Sequence, residues 1–336
     1  MKAKMISGKG AASAVLILLF MIVVPIITDN YSMTVMNAAI IYAISALGLT
    51  ILLGMGGQMS FAAISFMGFG AFVTAQLSKN AGMQSLLALI CAMVITSLFA
   101  MIVGLALFRL RGSYFTFSTI GFVQIMNCIM LNYKPFTGGP DGTSGIPRLN
   151  LMGYPIKDLK QWFYVLMFLA ICCMLIVERI RKTSLGRSLA SVRDNEIAAQ
   201  SLGVNVYRTK IVAFTIAGAF AGLAGGLLAQ HNSYISASLF TYDTSVTFLI
   251  MLMLGGVNST VGTFMGAVLV TMLPEWLRPL QQYLKLIYGV SIILLMVFMP
   301  MGLAGVVQMI SDKVMSKIKR KGGNRDDRSK TTTAHS

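Results

Sequence analysis

The chain has 336 residues, of which 56% are hydrophobic and only 11% are charged, and its formal net charge is +16. An ordinary soluble domain has roughly 25% charged residues, so this chain lacks the polar surface to fold as one. Uncharged runs such as 11–27 and 84–108 are long enough to cross a bilayer of about 30 Å as helices. The composition therefore predicts an all-α, polytopic membrane protein, whose positive charge reflects topology and not nucleic-acid binding.

Hydropathy predicts a bundle of about ten transmembrane helices, some of them short or broken. Their ranges are 11–28, 32–54, 57–78, 84–108, 113–133, 161–178, 211–230, 245–257, 262–277 and 284–307. The segments 245–257 and 262–277 are short, which predicts half-spans or a bent, re-entrant pair. The first run is too long for a secretory signal core and is interpreted as an uncleaved span. Residues 1–312 are predicted to form one transmembrane domain, and residues 313–336 a basic, disordered tail.

Positive charge predicts which side of the membrane the chain ends face. Ten crossings would place both termini on one side, and twenty of the 27 lysines and arginines fall on that side. Because cytoplasmic loops are enriched in lysine and arginine, both termini are predicted to be cytoplasmic. All four cysteines lie in apolar segments, where cysteine is a common small buried residue, so neither a disulfide nor a metal site is predicted.

The stretch "TGGPDGTSGI" (137–146) lies in an external loop on this map. Glycine-rich loops can hold phosphate, but this loop lacks the Gly-Lys-Ser/Thr ending of a Walker A motif. Glycine, proline and aspartate supply the backbone angles of tight turns. The stretch is therefore either a plain external turn or a docking surface for a partner. Its candidate residues are Gly138, Gly139, Asp141, Gly142 and Gly145.

Ionisable side chains are almost absent from the predicted spans. Proton- and sodium-coupled carriers usually bury such a group, which argues against an ion-coupled secondary transporter. Neutral polar side chains do enter the spans, where each one either bonds to a neighbouring helix or lines a path for a polar solute. The candidates for such a translocation path are Gln58, Ser60, Ser65, Thr119, Gln124, Asn127 and Asn258.

Two glycine-rich stretches resemble each other, "GGQMSFAAISFMGFGAFV" (56–73) and "GGVNSTVGTFMGAVLV" (255–270). Both contain a Gly-Gly pair that is followed by Phe-Met-Gly nine or ten residues later. Such a repeat indicates either paired broken helices at a central site, as in transporters built from repeats, or close helix packing through small residues. The sequence alone leaves both interpretations open.

The segment 179–210 is the longest polar stretch between predicted spans, and it carries charges of both signs. Residues 187–202 are good helix formers, and Gly203 is a typical helix stop. A solvated connector would be the plain interpretation. A connecting loop could be shorter, however, which favours a helix that binds something.

The stretch "SLGRSLASVRDNEIAAQSLGVNVYRTKIVAF" (184–214) resembles the cytoplasmic coupling loop of ABC-importer permeases. Its Glu196-x-Ala198-Ala199-x-x-x-Gly203 spacing is a variant of their EAA motif, with one inserted residue and without the usual Leu-Pro. Those departures are typical of permeases for branched-chain amino acids, and the chain resembles the LivM type among them. The further motifs that carry the resemblance, over about residues 35–308, are "LLGMGGQMSFAAISFMGFGA", "RGSYFTFSTIGF", "TGGPDGTSGI", "MLGGVNSTVGTFMGA" and "PMGLAGV".

The resemblance implies a permease subunit of an ATP-driven importer in a bacterial plasma membrane. The implied partners are a second, homologous permease subunit, two ABC ATPase subunits and an extracytoplasmic solute-binding protein, besides membrane lipid. The chain itself is expected to be no enzyme and to bind no cofactor, because ATP and magnesium would belong to the ATPase subunits. The residues implied in coupling, within a segment of about 186–205, are Gly186, Arg187, Arg193, Asp194, Glu196, Ala198, Ala199 and Gly203.

The resemblance implies leucine, isoleucine and valine as substrates, whereas a close branch of the family carries urea or short amides. An apolar path with neutral polar groups suits both classes. From a different class of protein, an ion-coupled secondary transporter would need a buried ionisable site that the sequence does not show. A membrane scaffold without transport activity would leave the coupling segment and the paired glycine stretches unexplained.

Overall fold

The computed structural model describes residues 29–276, except residues 111, 152–153 and 157, together with positions 25, 282–283, 286–287 and 289–290. Apart from those isolated positions, the predicted spans 11–28 and 284–307 and the predicted tail 313–336 lie outside the described residues. The described part of the chain is almost entirely helical. This confirms the prediction of an all-α, polytopic helical fold.

Most helices of the described region follow one another with short connections, apart from the long loop between α5 and α6. In chain order they are α1 (Asn30–Leu49, continued by the π-helical segment Thr50–Met55), α2 (Ala63–Ala75, continued by the π-helical segment Gln76–Asn80), α3 (Ser85–Leu107), α4 (Ser113–Asn132), α5 (Lys134–Thr137), α6 (Leu159–Lys182), α7 (Ser184–Asp194), α8 (Glu196–Ser201), α9 (Val206–Asn232), α10 (Tyr242–Gly255) and α11 (Thr260–Trp276). Five of them, α1 with its continuation, α3, α4, α6 and α9, are long and apolar enough to cross a membrane.

Four strands of two residues each lie in the connections. They are β1 (Thr143–Ser144), β2 (Asn150–Leu151), β3 (Tyr154–Pro155) and β4 (Tyr234–Ile235). Strand β1 pairs antiparallel with β4, with Thr143 opposite Ile235, and β2 pairs antiparallel with β3. The first pair joins two loops that are far apart in the sequence.

The helix bounds agree with the predicted spans in most places. The predicted break between 245–257 and 262–277 is confirmed, because α10 and α11 are separate helices joined by a short turn. The predicted span 57–78 is wrong at its start, because residues 57–62 are not helical. Hydropathy cannot see this difference, since the residues remain mostly apolar, whereas Gly57 has φ +66° and ends the preceding helix.

The connections gather at opposite ends of the bundle. At one end Ser85 Oγ donates to the carbonyl of Arg148 at 3.0 Å, beside the β1–β4 pair. At the other end Tyr207 Oη donates to the carbonyl of Leu105 at 2.7 Å. We name them the outer end (residues 76–85, 133–158 and 233–236) and the inner end (residues 54–58, 105–112, 183–210 and 255–260).

Helix α9 forms the centre of the bundle and packs on α1, α2 and α3. Its glycines allow the helices to approach closely. A Cβ on Gly225 would lie 1.9 Å from the carbonyl oxygen of Met67, and one on Gly222 would lie 2.6 Å from Cβ of Thr96. A larger residue at either position would push the helices apart. Helices α3 and α4 lie at the edge and leave wide apolar faces exposed, as contact with lipid or another subunit requires.

Candidate coupling and transport site

The coupling segment, residues 186–205, lies at the inner end as two helices. The predicted single helix over 187–202 is wrong, because Asn195 has an extended backbone (φ −162°, ψ 112°) between α7 and α8. Its Oδ1 accepts a hydrogen bond from the backbone N–H of Ala198 at 3.0 Å, so Asn195 caps α8, a position that favours asparagine. The predicted helix stop at Gly203 is confirmed by its φ of +84°.

The start of the coupling segment is a tight corner. Gly186, which we expected at the boundary of the coupling helix, is buried in the first turn of α7. A Cβ there would lie 2.5 Å from the carbonyl oxygen of Ile180, so the corner between α6 and α7 needs glycine. Arg187 is exposed, and its Nη1 donates to the carbonyl of Lys182 at 3.1 Å. Arg187 therefore stays on the surface, available to a partner.

Arg193 is exposed and also binds to the bundle itself, a contact that the sequence did not predict. That it presents its charge to a partner stays a prediction. Its Nη1 donates to the carbonyl oxygen of Gly54 at 2.9 Å and to Oδ1 of Asn258 at 3.2 Å. Its Nη2 lies 3.3 Å from Oδ1 of Asp194, whose carboxylate is largely exposed. The arginine thus links the coupling segment to two other parts of the inner end, and Asp194 remains at the surface.

Glu196 also binds within the chain, although its side chain is 43% exposed. We had expected it to present its charge to a partner. Its Oε1 lies 2.5 Å from Nζ of Lys210, whose side chain is only 8% exposed, and it accepts a bond from Gln58 Nε2 at 3.3 Å. A buried ammonium group needs a partner of opposite charge, and Glu196 supplies it. Sequence reasoning missed Lys210, although an isolated lysine at the start of an apolar span is a signal for such a partner.

Two large apolar side chains are exposed on and directly after α8, beside the exposed polar Gln200 and Ser201. Ile197 is 79% exposed and Leu202 is 84% exposed, while Ala198 is exposed and Ala199 is buried. Beside α8 an open groove of about 950 Å³ extends to the turn between α3 and α4, where Arg109 lines it. Exposed apolar side chains that flank a groove are typical of docking surfaces. The EAA resemblance did not point to the isoleucine or the leucine.

Both glycine-rich stretches form turns at the inner end. We name residues 54–58 the first glycine turn and residues 255–259 the second glycine turn. In each, the second residue of the Gly-Gly pair has positive φ, +66° at Gly57 and +103° at Gly256. Both turns lie at the inner end, where the second separates the short helices α10 and α11 and the first follows the 26-residue span Asn30–Met55. The interpretation as paired broken helices at a central site stays a prediction.

The glycine turns also pack closely, as the second interpretation predicts. A Cβ on Gly54 would lie 2.2 Å from the carbonyl oxygen of Val257, so the first turn lies directly on the second. A Cβ on Gly255 would lie 2.1 Å from the carbonyl oxygen of Gly262, which joins α10 tightly to α11. Close packing through glycine therefore brings the two turns of the inner end into direct contact.

The non-helical residues 57–62 run beside α4, whose hydroxyl groups satisfy their backbone. Thr119 Oγ1 accepts a hydrogen bond from the N–H of Phe61 at 3.2 Å, and Thr116 Oγ1 donates to the carbonyl of Met59 at 3.1 Å. Irregular backbone at membrane depth requires such partners because no water is there to replace them. Thr119, a candidate for the path, therefore has a structural role.

A second irregular segment, residues 236–241, descends between the outer end and the start of α10. Asn127 Nδ2 donates to the carbonyls of Ala237 and Phe240 at 3.0 and 3.1 Å. Asn127 lies five residues before the end of α4, which corresponds to about 8 Å below that end. The segment therefore enters the bundle, and Asn127, another candidate for the path, holds it there.

The other path candidates differ in burial. Ser60 Oγ accepts a bond from the N–H of Ala62 at 3.2 Å and so supports the start of α2. Ser65 is buried, and its hydroxyl has no hydrogen-bond partner within the described residues. Gln124 is exposed on α4. Gln58 and Asn258 belong to the inner end, with the partners given above.

Helix α4 has one face that the other described residues leave uncovered. Tyr114 is 74% exposed and Phe117 is 67% exposed, and Gln124 and Cys128 follow on the same side. A Cβ on Gly121, in the middle of this face, would meet no atom within 4 Å. A glutamine side chain is costly against lipid, so a polar environment fits this face better than hydrocarbon.

The outer loop forms the predicted turn. Its glycines all have positive φ: Gly138 (+78°), Gly139 (+67°), Gly142 (+71°) and Gly145 (+73°). The carbonyl of Asp141 accepts a hydrogen bond from Tyr234 Oη at 3.2 Å, and β1 pairs with β4 directly after it. Local sequence predicted the turn but not its pairing with residues 234–235.

Comparison with known proteins identifies the family. A family model for the permease component of branched-chain amino acid transport systems matches residues 31–299. The chain belongs to this family. Family membership confirms the resemblance found in the sequence motifs, and together with the long apolar helices it makes the chain a multi-pass inner-membrane permease.

Curated relatives include amino acid and sugar permeases. The high-affinity branched-chain amino acid transport system permease protein LivM of Salmonella typhimurium is 30% identical over 302 residues, 83% of this chain and 71% of that protein. LivM of Escherichia coli K12 matches to the same extent. The ribose import permease protein RbsC of E. coli K12 is 24% identical over 80% of this chain and 85% of that protein. No solved structure matches the chain.

Proposed function

We propose that the chain is a permease subunit of an ATP-driven ABC importer that takes up leucine, isoleucine and valine. The observation that carries this proposal is the 30% identity with two LivM permeases over 83% of the chain. The fructose import permease of Rhizobium meliloti and the ribose permease of E. coli are less similar, at 26% and 24%. The more similar relatives therefore support branched-chain amino acids as the substrate class.

The ATPase subunits would dock at the inner end, one on this chain and one on the second permease. Helix α8 offers the apolar side chains of Ile197 and Leu202, and the charged Arg187 and Asp194 lie on the same segment. Because α8 is short and separated from α7 at Asn195, it can tilt as a unit. ATP and magnesium would be bound by the ATPases, and this chain would convert their closure into alternating access.

The translocation path would lie between this chain and a second, homologous permease that covers the open face of α4. Gln124 is the path candidate on that face, whereas Thr119 and Asn127 hold irregular backbone beside it. Neutral polar groups suit an amino acid, because its ammonium and carboxylate charges sum to zero. Among the described residues α4 lies at the edge of the bundle, which leaves room for a partner.

An extracytoplasmic solute-binding protein would dock at the outer end, on the loop that contains residues 137–146. Strand pairing with β4 and four glycines with positive φ give this loop one defined shape, which a docking surface needs. With the ATPases at the inner end, that end and both chain termini would be cytoplasmic. The positive charge of the predicted cytoplasmic loops supports the same orientation.

Uptake by a reconstituted complex tests the proposal. Proteoliposomes would hold this chain with its neighbouring permease, ATPases and binding protein, and labelled leucine uptake would be measured with and without ATP. We expect ATP-dependent uptake that isoleucine and valine compete and that urea and ribose do not. Uptake without ATP would indicate a secondary carrier, and competition by urea or ribose alone would overturn the amino acid assignment.

A further inference from the structure

The helix that begins with α1 ends without a helical donor for the carbonyl of Gly54. In an α-helix the carbonyl of Gly54 would accept from the N–H four residues later, which is that of Gln58. The N–H of Gln58 donates instead to Leu52, at 3.1 Å. The N–H of Gly57 donates to Leu53, at 3.0 Å. The Gly54 oxygen therefore needs a donor from elsewhere in the chain.

Arg193 of the coupling segment is that donor. Its Nη1 lies 2.9 Å from the Gly54 oxygen and 3.2 Å from Oδ1 of Asn258. A single nitrogen atom thus joins the coupling segment to the first glycine turn and to the second. A charged donor at the carboxyl end of a helix is also favoured by the helix dipole, and such bonds are stronger than neutral ones.

The glycines make room for this contact. A Cβ on Gly57 would lie 2.7 Å from Cγ of Arg193, so the stem of the arginine lies across the first turn. A Cβ on Gly54 would lie 2.2 Å from the carbonyl oxygen of Val257, so the two turns could not touch with a larger residue there. The arginine and the glycines are one built arrangement, in which each part requires the others.

We infer that Arg193 is a positioning residue that ties the coupling segment to both glycine turns at once. A displacement of α7 moves Arg193, and its two bonds pull the end of the α1 helix and the α10–α11 turn together. The role in transport rests on the proposed function. The tether itself rests only on the contacts of Arg193, and it can be measured without transport.

Hydrogen–deuterium exchange on the purified permease complex tests the tether. The variants are Arg193→Ala and Asn258→Ala, and the matched control is Arg187→Ala. Arg187 is an exposed arginine of the same segment, and among the described residues its side chain donates to the nearby Lys182 carbonyl. We expect Arg193→Ala to speed exchange in both glycine turns by about tenfold, the effect of losing one charged hydrogen bond. Arg187→Ala should leave both turns unchanged. Equal exchange in the two arginine variants would overturn the inference.

Coupling is the second readout, in proteoliposomes that take up substrate. We expect Arg193→Ala to raise the ATP hydrolysed per substrate molecule about tenfold. The double variant with Asn258→Ala should go no further, because both changes remove the same link. Parallel losses of uptake and ATP hydrolysis would indicate a general structural role and overturn the positioning role. A wild-type complex without ATP-driven uptake would refute the proposed function, while the exchange result would still decide the tether.

Discussion

The two ends of the bundle are built from different interactions. At the outer end, backbone pairing between β1 and β4 and a series of positive-φ glycines fix the long loop. At the inner end, side chains hold separate segments together, including Arg193 on the carbonyl of Gly54 and the Lys210–Glu196 ion pair. Backbone pairing allows one geometry, whereas long charged side chains can exchange partners. We therefore expect the outer end to keep one shape and the inner end to move.

The largest effect is expected where the outer end is most constrained. Gly142 has φ +71° and ψ −169°, a region that is accessible almost only to glycine, and a Cβ there would lie 2.3 Å from the carbonyl oxygen of Ile235. Gly142→Val should lower the free energy of unfolding by about 3 kcal/mol or more. The melting temperature and yield of the purified protein measure this. Gly145→Ala is the control, since Gly145 has positive φ but open space around it; equal losses in both would refute the packing argument.

The next effect breaks the inner end without unfolding the chain. Glu196→Lys places a second ammonium group beside Lys210 and replaces an attractive pair by a repulsive one. We expect the protein to insert normally while uptake falls at least about tenfold with ATP hydrolysis retained. The exchanged pair Glu196→Lys with Lys210→Glu should recover part of the lost uptake, because it restores the opposite charges. Unchanged uptake in Glu196→Lys would remove the coupling role of this pair.

A smaller effect separates support from transport on α4. Asn127→Leu leaves the carbonyls of Ala237 and Phe240 without their donor and should destabilise the protein by about 1–2 kcal/mol. Gln124→Leu, three residues away and exposed, should leave stability unchanged and reduce uptake. Thermal stability and uptake would be measured for both variants. The reverse pattern would exchange the roles given to the two side chains.

The smallest effect concerns an exposed charge at the outer end. Lys79 Nζ donates to the carbonyl of Ser144 at 2.7 Å, but the contact is exposed. Lys79→Ala should change stability by less than about 0.5 kcal/mol and leave the ATP-to-substrate ratio unchanged. An increased ratio in this variant would show that charged contacts control coupling at both ends, and the comparison between the ends would fail.

The sequence predicted the features that depend on local composition. Hydropathy located the long helices, and the Gly-Gly pairs located two interruptions, because glycine alone tolerates the φ values found at Gly57 and Gly256. Gly203 ended the coupling helix as expected for the same reason. The break at Asn195 was missed, since asparagine is common in helices as well as at their caps, and only the local backbone decides between the two.

Contacts between distant segments could not be predicted from one sequence. Arg193 and Glu196 are partly exposed, as surface charges are, but their bonds to Gly54 and Lys210 could not be predicted because these partners come from other spans. Thr119 looked like a path residue because nothing local shows that the backbone of Phe61 runs unpaired beside it. In each case the sequence shows that the side chain is polar, but the packing of the helices decides which group it bonds to.

Helices α10 and α11 touch along their backbones, and this has a mechanical consequence. A Cβ on Gly255 would strike the carbonyl of Gly262, and one on Gly266 would lie 2.2 Å from the carbonyl of Met251, so the two helices are already in contact and cannot approach further. We therefore expect a rotation at the second glycine turn to carry both helices together. Pro274 removes a hydrogen bond inside α11, so any bending of this helix is expected there, next to the bond between Tyr31 and Glu275.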